Sequence, residues 1–207
     1  SRTKLIPGLY KLYKRDSLPE QFSVLGLARS FSNQKEFIES LEGSIQEESP
    51  EIYDQKSWNE FKNYIDYLQM DFTEDAGYKQ LRRQLNDQAG KQAGQHCIYY
   101  LATAPNFFPM ITEKLKEHHL DESKEEGWPR LVIEKPFGYS LESAQKYNSQ
   151  ICQVFPEENV YRIDHYLGKE MIQNIENNLG VSDGNAGSGE GTGQEEQATQ
   201  ETQQPSE

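Results

Sequence analysis

Four short apolar runs interrupt stretches whose apolar residues recur every three or four positions: FSVLGLA (22–28), CIYYLAT (97–103), LVIE (131–134) and VYRID (160–164). Runs of this length without polar alternation are strands covered on both faces. Strands that alternate with helices build βαβ units and a parallel sheet. The helical pieces fall between the runs. Residues 108–117 place Met110, Ile111 and Leu115 on one face. Leu141, Ala144, Tyr147, Ile151 and Phe155 do the same behind Ser140, a good N-cap residue. Met171, Ile172, Ile175 and Leu179 predict a last helix. Residues 34–90 are polar and Tyr-rich, with Phe61, Ile65 and Leu68 at helical spacing, which predicts helices crossing over between strands. Leu5, Leu9 and Leu12 already follow helical spacing behind Ser1, so the chain is expected to begin inside an element.

Charge and apolar content exclude several classes of function. A formal charge of -13 disfavours a phosphate backbone or an anionic membrane surface, whose binding rests on clustered Lys and Arg, so nucleic acid and membrane are not expected partners. No run reaches the ~18 apolar residues of a membrane span, and SRTKLIPG lacks the apolar core of a secretory signal, so a cytoplasmic location is expected. Cys97 and Cys152 are far apart, without CxxC or ligand-like His spacing. Both are expected to be reduced, buried small hydrophobes, with no metal site. His118 and His119, near a helix C-terminus, are expected at the surface, where they suit the helix dipole.

Parallel sheets place ligands at the carboxyl ends of their strands, so the residues that follow each run carry the chemistry. They are Arg29 and Ser30, Ala104 and Pro105, Lys135 and Pro136, and Asp164 and His165. Taken singly, each is an ordinary strand-terminating residue. Together, the strings GLARS, YYLATAP, RLVIEKPFG and YRIDHYLGKEMIQN follow one another in an order and spacing that resembles the glucose-6-phosphate dehydrogenase family over residues 2–175. RIDHYLGKE and EKPFG are the most specific of these strings.

The resemblance implies oxidation of the C1 hydroxyl of glucose 6-phosphate to a lactone, with a hydride passed to NADP+. Such a reaction needs a base, a cationic phosphate site and a firm grip on the cofactor. By resemblance, Asp164 orients and charge-stabilises a catalytic His, while His165, Tyr166 and Lys169 hold the substrate phosphate. Lys135 resembles the residue that contacts both sugar and nicotinamide. Arg29 resembles the residue that meets the adenine end and the 2'-phosphate, which favours NADP+ over NAD+. Tyr100 matches a position near the cofactor, with a core role as the alternative. The Lys135–Pro136 bond is one that could be cis.

The implied fold class is α/β: a Rossmann-like parallel sheet with helices on both faces, plus the start of an α+β substrate domain. The expected division is 1–139 for the NADP-binding domain, 140–179 for the start of the substrate domain, and 180–207 for a disordered acidic tail. In the tail Asp183, Glu190, Glu195, Glu196, Glu201 and Glu207 face no Lys or Arg. In the family a first strand and a GxxGDL turn directly precede the residues matching SRTKLIPGLYKL. Without them, a 3-2-1-4-5-6 order leaves two partial sheets with unpaired inner edges and a weakened grip on the cofactor. The catalytic His and the homo-oligomer interface of the family lie further along than the matched residues. The chain alone is therefore expected to be inactive. The competing expectation is a non-catalytic relative that senses a sugar phosphate or binds partners through its tail.

Overall fold

A computed structural model of the chain describes residues 2–89, 96–122 and 127–163. Among these residues six α-helices and five strands follow one another in the order α1 (Arg2–Lys14), β1 (Val24–Ala28), α2 (Gln34–Glu48), α3 (Gln55–Phe61), β2 (Ile65–Gln69), α4 (Asp75–Ala89), β3 (His96–Leu101), α5 (Phe108–Glu117), β4 (Trp128–Glu134), α6 (Leu141–Cys152) and β5 (Val160–Ile163). All strand pairs are parallel, in a two-stranded sheet β1-β2 and a three-stranded sheet β3-β4-β5. These are the pairings a 3-2-1-4-5-6 order leaves when its first strand is removed. Among the described residues β1 and β3 each keep one unpaired edge, as expected from the sequence.

Local chemistry fixes where the helices start. Asn33 caps α2 by accepting the Glu36 amide at 3.0 Å, and Asp54 caps α3 by accepting the Ser57 amide at 2.9 Å. Ser140 caps α6 in a reciprocal box with Ser143, as the sequence predicts. The expected apolar face of α6 needs one correction. Leu141 is 77% exposed, because it stands in the first turn beyond the cap, while Ile151 and Phe155 do the packing. Phe155 lies just past the helix, its amide bonded to the Ile151 carbonyl at 2.9 Å.

A second correction concerns β2. The Ile65–Leu68 spacing suggested a helix, yet these residues form a strand paired from Val24↔Ile65 to Ala28↔Gln69. Both faces of this strand are covered. Ile65 enters one core and Leu68 the other, so a three-residue spacing that imitates one face of a helix here marks the two opposite faces of a strand.

The two cores explain the layering. One lies between the two-stranded sheet and α1–α3, built from Ile6, Tyr10, Phe37, Leu41, Ile45, Trp58, Phe61 and Ile65. The other runs beneath both sheets on the α4–α6 side and joins Leu68, Met70, Leu101, Leu131, Ile133, Phe155 and Val160. Helices therefore cover both faces of the two-stranded sheet. Cys97 and Cys152 are free thiols, partly rather than fully buried, and burial pushes both upward in pKa. No helix among the described residues is long and apolar enough to cross a membrane. The last expected helix and the acidic tail lie outside the described residues.

Candidate functional site

The carboxyl ends of β1, β3 and β4 carry the residues that matter chemically. At the end of β1, the Arg29 guanidinium donates to Asp71 Oδ2 at 3.1 Å and lies 5.8 Å from the centre of the Phe72 ring. Asp71 is held mainly by the amide and hydroxyl of Thr73, at 2.9 and 2.7 Å. Those bonds, with Arg29 beside them, keep its carboxyl below the usual carboxylate range. The Arg29 side chain remains 65% exposed, so this anchored arginine can still offer N–H groups to an anion.

At the end of β3, the Tyr100 hydroxyl donates to Glu134 Oε1 on β4. Register pairs Tyr100 with Val132, which brings Glu134 onto the same face of the sheet. Burial, then the neighbouring carboxylate, pushes the Tyr100 phenol well up. Tyr100 belongs to neither core. Three residues further on, Thr103 Oγ1 is buried and without a hydrogen-bond partner, a group that nothing in the string YYLATAP singles out. A buried unpartnered hydroxyl is costly unless something polar meets it.

At the end of β4, Lys135 is exposed and its amide donates to the Ile163 carbonyl at 3.0 Å, extending the β4–β5 ladder. The Lys135–Pro136 bond is cis. The turn then folds tightly onto α6: a Cβ at Gly138 would stand 2.6 Å from the Ala144 nitrogen, so only glycine allows this approach. Asp164, His165, Tyr166 and Lys169 lie outside the described residues, which end at Ile163.

Three histidines lie away from this edge. His96 stacks on Trp128 at 4.8 Å, at the amino end of the same strands. His118 is a correction. Its side chain is only 13% exposed, stacked on Tyr78 at 5.6 Å, with Nε2 3.4 Å from Asp75 Oδ1. The helix end turns inward there because α4 and α5 pack together, and Lys114 bridges Asp75 and Glu117 at 2.8 and 2.9 Å. Asp75, Glu117 and His118 have the donor types of a cation site, but the Lys114 ammonium already lies against both carboxylates. His119 is exposed, 3.2 Å from Glu122.

An exposed guanidinium, a phenol, an unpartnered hydroxyl and a lysine at the carboxyl ends of parallel strands suit a ligand bearing phosphates, hydroxyls and an amide. The class these features define is the dinucleotide-binding α/β domain. The family model for "Glucose-6-phosphate dehydrogenase, NAD binding domain" matches residues 1–174. The chain belongs to the glucose-6-phosphate dehydrogenase family. It is 40% identical over 173 residues to glucose-6-phosphate 1-dehydrogenase of Aggregatibacter actinomycetemcomitans, covering 83% of this chain and 34% of that protein. It is 37% identical over 177 residues to the Bacillus subtilis enzyme, covering 85% of this chain and 35% of that one. The crystal structure of the Mycobacterium avium enzyme superposes with a TM-score of 0.70 at 27% identity, over 81% of this chain and 34% of that chain. A glucose-6-phosphate dehydrogenase in complex with its substrate glucose 6-phosphate gives 0.69 at 32% identity, over 84% and 36%. The chain thus spans about a third of the length of the relatives it matches.

Proposed function

We propose that this chain supplies the NADP-binding region of a glucose-6-phosphate dehydrogenase, an oxidoreductase of glucose metabolism in the oxidative pentose phosphate route. The match over residues 1–174 carries this reading, and the collection of Arg29, Tyr100 and Lys135 at the carboxyl ends of the strands supports it. Bound nicotinamide supplies the hydride acceptor for C1 of glucose 6-phosphate. The chain's own residues bind and orient. Arg29 offers the 2'-phosphate a charge-assisted pair, and its hold on Asp71 fixes where that pair forms. Lys135 stands where sugar and nicotinamide meet and donates to both. Glu134 holds the Tyr100 phenol at the same edge, leaving the ring to line the cofactor. His165, Tyr166 and Lys169 donate to the substrate phosphate, and Asp164 steers the imidazole that takes the hydroxyl proton.

None of the four histidines suits that last role. His165 serves the phosphate, His96 stacks on Trp128, and His118 and His119 lie beside Asp75 and Glu122. The 207-residue chain by itself is therefore proposed to give no turnover, the base coming from elsewhere in the complete enzyme.

The test is a calorimetric titration of the chain and its Arg29→Ala variant with NADP+ and with NAD+. Removing Arg29 is expected to weaken NADP+ at least ~10-fold, the value of about one charge-assisted hydrogen bond, and to leave NAD+ nearly unchanged. Equal losses for both cofactors would overturn the 2'-phosphate role.

A further inference from the structure

Arg29 does not stand alone at its strand end. β1 and β2 run parallel with Ala28 opposite Gln69, and the Met70 amide continues their ladder by donating to the Ala28 carbonyl at 3.0 Å. The Gln69 side-chain amide adds a bond to the Arg29 carbonyl at 3.3 Å. The residues that follow the two strands therefore emerge side by side at one carboxyl edge, where parallel sheets hold their ligands. That juxtaposition is what brings the Arg29 guanidinium to Asp71 Oδ2, 3.1 Å away.

The two oxygens of Asp71 are used unequally. Oδ1 accepts both the amide and the hydroxyl of Thr73, which pins the carboxylate independently of Arg29. Oδ2 accepts from Arg29, and each carboxylate oxygen offers about two acceptor positions. With 32% of its side chain exposed, Asp71 can accept one more donor from a ligand. The Thr73 bonds also keep the carboxyl ionised near neutral pH. Because the guanidinium is itself bonded to Asp71, any ribose 2'-substituent that Arg29 can touch stands beside a fixed negative charge. A 2'-hydroxyl donates to that charge, whereas a 2'-phosphate is repelled by it.

We propose that Asp71 is a specificity-determining residue for the cofactor, accepting the ribose 2'-hydroxyl of NAD+ and opposing the 2'-phosphate of NADP+. The Arg29–Asp71 pair then narrows the preference for NADP+ that Arg29 alone would set. This rests on the reading of Arg29 given above. Were Asp71 only a prop for Arg29, losing its charge would weaken NADP+ and leave NAD+ alone, a change of the opposite sign.

Calorimetric titration of the full 207-residue chain and of its Asp71→Asn and Arg29→Ala variants with NADP+ and with NAD+ provides the test. Asparagine matches aspartate in size and keeps an acceptor for the Thr73 amide. Asp71→Asn is expected to tighten NADP+ about 3-fold and to weaken NAD+ about 3-fold, since a charge-assisted hydrogen bond is roughly twice as strong as a neutral one. The ratio of the two constants then shifts by roughly 10-fold, which a merely structural role would not produce because it would move both together. Far-ultraviolet circular dichroism establishes that each variant is folded. Should Asp71→Asn unfold the chain, Asp71→Ser decides by the same ratio, since serine closes a similar turn without the charge. An unchanged ratio, or NADP+ weakened with NAD+ unchanged, overturns the proposal even where Arg29→Ala still loses NADP+ selectively. Equal losses of both cofactors in Arg29→Ala, or a wild-type chain that binds neither, would overturn the reading of Arg29 and this proposal with it.

Discussion

Replacing Gly26 with alanine tests how firmly β1 is seated on α2. A Cβ at Gly26 would stand 2.1 Å from Phe37 Cζ and 2.5 Å from Cε1, far inside the ~3.5–4 Å of ordinary carbon contact. The ring has little room to retreat. It is 6% exposed, stacked on Tyr67 at 4.8 Å and edge-on to Phe31 at 5.4 Å. Tyr67 is itself tied down through its hydroxyl, 2.7 Å from the Ala28 carbonyl and 2.9 Å from that of Phe31. Overpacking a site of this kind costs about 3 kcal/mol, and the reduced freedom of the unfolded chain returns ~0.5–1 kcal/mol, leaving a net loss of about 2 kcal/mol. Gly43 provides the opposite case. It stands exposed within α2 with nothing within 4 Å of a new Cβ, so Gly43→Ala should stabilise by ~1 kcal/mol. In urea unfolding with a slope near ~2 kcal/mol per molar, the midpoint should fall by about 1 M for Gly26→Ala and rise by about 0.5 M for Gly43→Ala. Unchanged or raised stability in Gly26→Ala, with Gly43→Ala behaving as stated, would show that the Phe37 ring moves aside freely and refute the reasoning.

Two further predictions concern helix starts. Ser140→Ala removes the half of the reciprocal cap in which Ser140 Oγ accepts the Ser143 amide and should cost about 1 kcal/mol in the same melts, whereas Ser140→Asp should keep most of it. The Asp54 carboxyl is held far below the usual range, first by the Lys14 ammonium at 2.8 Å and then by the Ser57 amide. As pH falls below about 4 the unfolded chain takes up this proton before the folded one does, so stability present above that pH is lost below it. Asp54→Asn keeps the cap acceptor without the charge and should flatten the acid side of a stability profile measured from pH 5 to 2. An unaltered acid slope would place the sensitivity with Asp71, Asp75 and Glu157, whose carboxyls are also held low.

Much of this architecture was legible in the residues, and the exceptions have physical causes. The runs that became β1, β3, β4 and β5 were visible because apolar, β-branched and aromatic residues dominate each, and α5 and the cap of α6 because periodicity and Ser140 agree. β2 was hidden because a strand covered on both faces put apolar residues at 65 and 68, a spacing that imitates a helix, and only pairing with β1 identifies it. His118 was misjudged because a helix end looks exposed until the packing of the next helix is known. In the candidate site, Arg29 and Lys135 were found through their positions after strands. Thr103 was missed because its one distinguishing property, a buried hydroxyl without a partner, exists only in three dimensions.

The two cores also give the molecule two separate optical reporters. The chain has two tryptophans. Trp58 is fully enclosed between Tyr10 and Phe61 in the core under α1–α3, whereas Trp128 is only half-buried, on the other sheet against His96 and Arg130. Emission from the first should be blue-shifted and inaccessible to dissolved quenchers, while the second should respond to iodide. With Trp58→Phe and Trp128→Phe, the opening of each sheet can be followed by its own colour.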